Sequence, residues 1–154
     1  MPDEIEIRAV PAGEPPAADL IEAMIAELAA HYGRIDGRGA PTATPGELGP
    51  PDGRFLVIWL DGEPVAGGGL KRLGDGLAEI KRMYVAPAAR SRGLARRLLA
   101  ALEHAARDLG YARVRLDTGP AQPHARALYL SAGYEQIPDY NANPHADFWA
   151  EKRL

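Results

Sequence analysis

Apolar and polar residues alternate along Ile5–Val10 (IEIRAV), the period-two pattern of a half-buried strand. The period then changes. In ADLIEAMIAELAAHYG, residues Ile21, Met24, Ile25, Leu28 and Tyr32 recur at helical spacing, with Asp19 as a cap and Gly33 as a stop. RIDGRGAPTATPGELGPPDG follows, a loop full of helix and strand breakers. Loops of such length inside a domain are uncommon and usually functional or mobile. RFLVIWL and EPVAGGGLKRL flank the hairpin signal DGE, and a second turn at GDG leads into LAEIKRMYV, Leu77–Val85. The Gly67–Gly69 triplet lies inside a strand and reads as a bulge or a close backbone approach.

Pro87 ends the third strand of this meander, and RSRGLA (Arg90 to Ala95) opens the helical run RRLLAALEHAARDLG. Leu94, Leu98, Leu99, Leu102, Ala106 and Leu109 form its apolar side, and Gly110 terminates it. ARVRLDT, Ala112–Thr118, is a core strand. QPHARALYLSAGY is a short helix with Pro123 in its first turn and Gly133 at its end, and YEQIP and DFWAEKRL are extended. The order β-α-β-β-β-α-β-α-β-β predicts an α/β (α+β) fold. It is a single domain over residues 1–154, a mixed sheet of about seven strands flanked by helices. Leu77–Val85, the helix and Ala112–Thr118 form a right-handed crossover with RSRGLA at its strand-to-helix junction.

Composition narrows the function. A chain of 154 residues can bury a sizeable core. The net charge of −3 gives no expectation of nucleic-acid binding, and no apolar run is long enough to span a membrane. The start, MPDEIEIRAV, is acidic and does not resemble a signal peptide; a cytoplasmic location is the default expectation. There is no cysteine, so disulfides, thiolate-bound zinc and a cysteine nucleophile are excluded; no metal is expected.

RSRGLA has two readings: a surface turn whose Ser91 caps a helix, or an anion site. A helix start exposes unpaired N–H groups and partial positive charge, and Gly93 lets a phosphate approach the backbone. A Walker loop is absent, and GLARRL lacks the later glycines of a dinucleotide fingerprint. Arg90, Gly93 and Ala95 do fit Arg-x-x-Gly-x-Ala. With AEIKRMYVAPAARSRGLARRLLAALEHAARDLGYARVRLDTG around it, this resembles the strand, pyrophosphate loop, helix and strand of the GNAT N-acetyltransferase superfamily. Downstream, Ala125, Leu128, Tyr129, Gly133 and Tyr134 match that family's next helix, with Gln122 in place of its usual asparagine, and FWAEKRL resembles its last strand. The resemblance covers nearly two-thirds of the chain.

The resemblance implies acetyl-CoA as cosubstrate and direct transfer of acetyl to a primary amine. The backbone N–H groups of Ser91, Arg92, Gly93, Leu94, Ala95 and Arg96 would cradle the pyrophosphate, with charge from Arg90, Arg92 or Arg96. Met83, Tyr84 and Val85 would pair with the pantetheine and polarise the thioester oxygen. Tyr129 would be the acid for the departing thiolate, a phenol of ordinary pKa, or else a core aromatic. Glu79 would be the base, on a strand face shared with Lys81, Met83 and Val85, or else the ion-pair partner of Lys81.

His124 and His145 are weaker candidates for the base. The acceptor side would be built from residues 32–51 and 140–147, where Asp147 could attract an ammonium. Lys81, Arg82 and Arg115 could read a carboxylate, or the arginines could pair with Glu79 and Asp117. A small-molecule amine is the expected acceptor; a protein lysine or N-terminus, a longer acyl donor, and a non-catalytic acyl-CoA-binding module are the alternatives. Edge strands near the C-terminus are compatible with a homodimer.

Overall fold

The computed structural model describes residues 4–32, 43–120 and 122–154. Its elements follow the predicted order: β1 (Ile5–Ala9), α1 (Ala17–Tyr32), β2 (Arg54–Leu60), β3 (Glu63–Gly74), β4 (Leu77–Val85), α2 (Leu94–Asp108), β5 (Arg113–Thr118), α3 (Pro123–Ser131), β6 (Glu135–Gln136) and β7 (Phe148–Arg153). Asp19 sits in the first turn of α1, which starts at Ala17, so it favours the positive end of the helix without capping it. The expected stop at Gly33, the loop at 34–42 and the side chain of Tyr32 lie outside the described residues. Among the described residues, no helix is long and apolar enough to cross a membrane.

The sheet runs β1-β2-β3-β4-β5-β7-β6. All its pairings are antiparallel except β4 with β5. The larger core joins one sheet face to α2 and α3 through Leu98, Leu102, Ile80, Val114, Leu116 and Phe148. The other face buries Phe55, Val57 and Leu48 with Leu20 of α1. Each residue predicted for the apolar side of α2 is buried except Leu109, which follows the helix as its C-cap and is packed at the margin. Gly110 ends the helix at φ +89°, a value that only glycine adopts without strain.

Two irregularities shape the centre of the sheet. β4 pairs with β5 only through Leu77–Arg113, Ala78–Val114 and Glu79–Arg115, while β5 keeps its register with β7 as far as Thr118. Past Glu79 the sheet is therefore split between β4 and β5. On its other side β4 is bulged: Gly67 opposes Tyr84 but Gly69 opposes Lys81, and Arg82 takes φ +60°. A bulge resets the alternation of a strand. Ala78, Ile80, Met83 and Val85 consequently lie with the α2–α3 core and Tyr84 with the α1 core. The expectation that Glu79, Lys81, Met83 and Val85 share one face is corrected: the extra residue at Arg82 separates the last two from the first two.

The glycine triplet in β3 is explained by close approach. A Cβ on Gly69 would stand 2.6 Å from Leu48 Cδ2, and one on Gly68 would stand 3.0 Å from both Leu102 Cδ1 and Met83 Cγ. The bulge lies opposite this triplet, on β4.

Candidate active site

A cavity of about 520 Å³ runs from the start of α2 to the split in the sheet. Met83, Tyr84 and Val85 of β4 form one wall. Arg90, Ser91 and the stretch from Gly93 to Arg96 form its floor. Gln122 and Tyr129 close the α3 side, and Glu27 and Leu28 come from α1. The expected cofactor residues are thus assembled around one space, except Arg92, which does not line it.

The loop conformation differs from a simple capped turn. Gly93 is the N-cap of α2, at φ +76°, and no side chain caps the helix. Ser91 is itself held at φ +65° and does not act as the cap. The first-turn N–H groups of α2 are therefore left to a ligand or solvent, at the positive end of a fifteen-residue helix. An anion fits this place, because Gly93 carries no Cβ and the first-turn N–H groups have no side-chain cap.

The loop cations are partly engaged. Arg90 donates through Nη2 to both carboxylate oxygens of Glu27, at 2.8 and 2.7 Å, and through Nε to the Val85 carbonyl at 2.9 Å. Arg96 donates to Ser131 Oγ at 2.7 Å, tying α2 to α3. Nothing in the sequence marked Glu27, which lies on α1, 63 residues before Arg90 along the chain.

Tyr129 is buried, with its hydroxyl 3.8 Å from Met83 Sδ. Burial pushes its pKa well above the ordinary phenol value, and the charge of Asp117 pushes it further the same way. The expectation of an ordinary phenol is corrected accordingly. Gln122 precedes α3, and its side-chain oxygen accepts from Thr118 Oγ1 at 3.1 Å.

A smaller cavity of about 130 Å³ opens in the split itself. Ile80, Lys81, Arg82 and Met83 line it from β4, and Asp117 and Thr118 from β5. Tyr129 borders both cavities. His145 lines the smaller one and His124 the larger. Glu79 lines neither. It is 3% exposed, its Oε1 lies 3.5 Å from Lys81 Nζ, and its Oε2 accepts from Tyr140 Oη at 2.5 Å and Asn141 Nδ2 at 3.3 Å.

Asn141 also donates to Asp117 Oδ2 at 2.5 Å and accepts from Trp149 Nε1 at 2.9 Å. This strap of residues packs over the split and pins the carboxylates. Arg115 pairs with Glu151 at 2.8 Å, not with Glu79 or Asp117, and stacks on the Tyr140 ring. Asp147 is tied by its backbone N–H to the Thr118 carbonyl and does not line the smaller cavity. Among the described residues, no cluster of side chains could hold a metal ion.

Comparison with known proteins agrees with this arrangement. The model of the Acetyltransferase (GNAT) family matches residues 21–134. The uncharacterized N-acetyltransferase YjgM of Escherichia coli is 34% identical over 129 residues, which cover 78% of this chain and 77% of the relative. A Klebsiella pneumoniae structure, provisionally assigned as an acyl-CoA N-acyltransferase, superimposes with a TM-score of 0.74 at 30% identity over 97% of each chain. A GNAT acetyltransferase from Elizabethkingia anophelis, solved with acetyl-CoA bound, shares the fold with a TM-score of 0.68 at 18% identity over 97% of this chain and 98% of its own.

Proposed function

The chain belongs to the GNAT acetyltransferase family, and from that premise we propose that it transfers the acetyl group of acetyl-CoA to the primary amine of a small molecule. One observation carries the reading. A single cavity connects the uncapped start of α2 to Tyr129 along the β4 edge that, among the described residues, no strand pairs beyond Glu79. That path suits a ligand with an anionic head, an extended polar arm and a reactive end.

The backbone from Ser91 to Arg96 would hold the pyrophosphate, with Arg90, Arg92 and Arg96 supplying charge. Met83, Tyr84 and Val85 would pair with the arm as an added strand, and one of their N–H groups would meet the thioester oxygen as negative charge develops there. The amine nitrogen attacks the carbonyl carbon; a C–N bond forms, and the C–S bond breaks with its electron pair leaving on sulfur. Tyr129 gives its proton to that sulfur, and a proton from the attacking nitrogen restores the phenol. The ammonium loses its other proton to solvent before attack; Glu79 lines neither cavity and, held by Tyr140, Asn141 and Lys81, would act only as a positioning residue. The small cavity beyond Tyr129 supports a small-molecule acceptor.

Calorimetric titration with acetyl-CoA, with ATP and NAD as controls, tests the cosubstrate, and CoA release over a panel of amines tests the reaction. Binding of acetyl-CoA alone and release with one amine class is expected. Tight binding without release from any amine would favour a non-catalytic acyl-CoA-binding module, and no binding would remove the cosubstrate assignment.

A further inference from the structure

The smaller cavity is electrically divided. Lys81 and Arg82 line it from β4, and Asp117 faces them from β5 across the split. Asp117 accepts from two neutral amides, Asn141 Nδ2 at 2.5 Å and Asn143 Nδ2 at 3.4 Å. Amide donors orient a carboxylate and leave its full negative charge in place.

On the opposite wall, the Lys81 side chain is 12% exposed and is held 3.5 Å from Glu79 Oε1. An ammonium has three donors, so this contact leaves others for a ligand. Glu79 is meanwhile drawn back by Tyr140 and Asn141 on its second oxygen. Leu28 and Ile80 add apolar surface between the charged walls.

A simple alkylamine entering this space would satisfy Asp117 and leave Lys81 with its contact to Glu79 and hydrocarbon beside it. A carboxylic acid without an amine would do the reverse. A molecule bearing both charges a few atoms apart would satisfy both walls, and its amine would lie on the side where Asp117 adjoins Tyr129.

We propose that the acceptor is a compact aminocarboxylate, such as an α-amino acid, with its ammonium held by Asp117 and its carboxylate by Lys81 and Arg82. This rests on the acetyltransferase reading above and adds the substrate class to it. Asp117 and the two cations are specificity residues here. The transfer is the one already written: nitrogen displaces sulfur at the acetyl carbon, and the carboxylate of the acceptor takes no part in bond changes.

The test uses the full chain, acetyl-CoA and matched acceptors: each amino acid of a panel, its carboxamide and its decarboxylated amine. CoA release is read for each. At least one amino acid should exceed its amide and its amine by about 10- to 100-fold in kcat/KM, the range expected for losing a charge-assisted contact. Lys81→Gln and Arg82→Gln should raise KM for the amino acid by a larger factor than KM for the matching amine. Lys81→Arg should recover part of the preference, which separates lost recognition from lost folding. Asp117→Asn should lower kcat/KM while calorimetric acetyl-CoA affinity stays within a few-fold.

Amines or amides used as well as amino acids would overturn the proposal and leave the acetyltransferase reading intact. Acetyl-CoA binding with no turnover of any acceptor would overturn that reading and the proposal with it.

Discussion

The Tyr129 hydroxyl lies 3.8 Å from the Met83 sulfur, so α3 meets the β4 edge at the junction of the two cavities. A thioether is a weak acceptor. The phenol therefore has no strong partner to take its proton, and burial with the nearby charge of Asp117 raises its pKa. Tyr129 stays protonated throughout the working range and is available to a departing thiolate, which is a far better acceptor than a thioether. Tyr129→Phe should lower kcat by about 10²- to 10⁴-fold, with the Kd for acetyl-CoA within a few-fold of the parent. The kcat profile of the parent should show no alkaline loss from this group below about pH 10. Steady-state kinetics and calorimetry together check this, and a Phe variant with full kcat would remove the acid assignment.

Arg90 raises a different question, because its guanidinium is already bound to Glu27. Both side chains are well exposed, at 44% and 38%, so the pair contributes little stability. For Arg90 to meet a phosphate it must leave Glu27 while Nε holds the Val85 carbonyl. Glu27→Gln should therefore tighten acetyl-CoA binding by up to about fivefold, the worth of one exposed ion pair. It should also steepen the salt dependence of that binding. Arg90→Ala should weaken binding and flatten the salt dependence. Equal affinities for Glu27→Gln and parent would mean that Arg90 stays on Glu27 and only shapes the loop.

The loop, α2 and α3 were legible because their signals are local. Leu94, Leu98, Leu99 and Leu102 carry the helix period, and Pro123 and Gly133 bracket α3 within one short segment. What the sequence did not reveal depends on partners far along the chain. The bulge at Arg82 arises from pairing with the glycine triplet of β3, and a strand read alone shows only its alternation. The Glu27–Arg90 contact joins residues 63 apart, and Tyr140 reaches Glu79 across 61. Asp117 gains its place in the smaller cavity from the parting of β4 and β5, which no run of side chains announces.

Gly93 and Ser91 are both in the left-handed region, with opposite expectations. A Cβ at Gly93 would meet no atom within 4 Å, so Gly93→Ala costs only backbone strain, about 1–2 kcal/mol. That Cβ would nevertheless project at the start of α2, where the anion is expected, and acetyl-CoA affinity should fall by more than the small change in stability suggests. Ser91→Gly relieves the strain at φ +65° and should raise stability by up to about 1 kcal/mol. Denaturant unfolding gives the stabilities and calorimetry the affinities. If Gly93→Ala binds acetyl-CoA normally, the loop backbone is not the phosphate cradle.

Behind the site, Tyr134 Oη donates to Glu103 Oε2 at 2.8 Å, and Lys152 Nζ donates to Glu103 Oε1 at 3.0 Å. Tyr134 and Glu103 are both buried. Burial raises the pKa of Tyr134, and the charge and hydrogen bond of Glu103 raise it further. The folded state thus retains a proton that the unfolded chain gives up near the ordinary value of about 10. Its contribution to stability is fully present below that value and is lost as pH rises toward the folded pKa. The loss is about 1.4 kcal/mol per pH unit for one such group. Tyr134→Phe removes the titration but leaves Glu103 short of a donor, which costs about 1–3 kcal/mol at neutral pH. The variant should start less stable and decline less steeply in alkali, so the two curves converge. Lys152 is present in both proteins, so the difference isolates the phenol. Denaturant unfolding at intervals from about pH 8 to 12 measures both slopes. Parallel curves would show that Tyr134 ionises as readily in the folded core as in water.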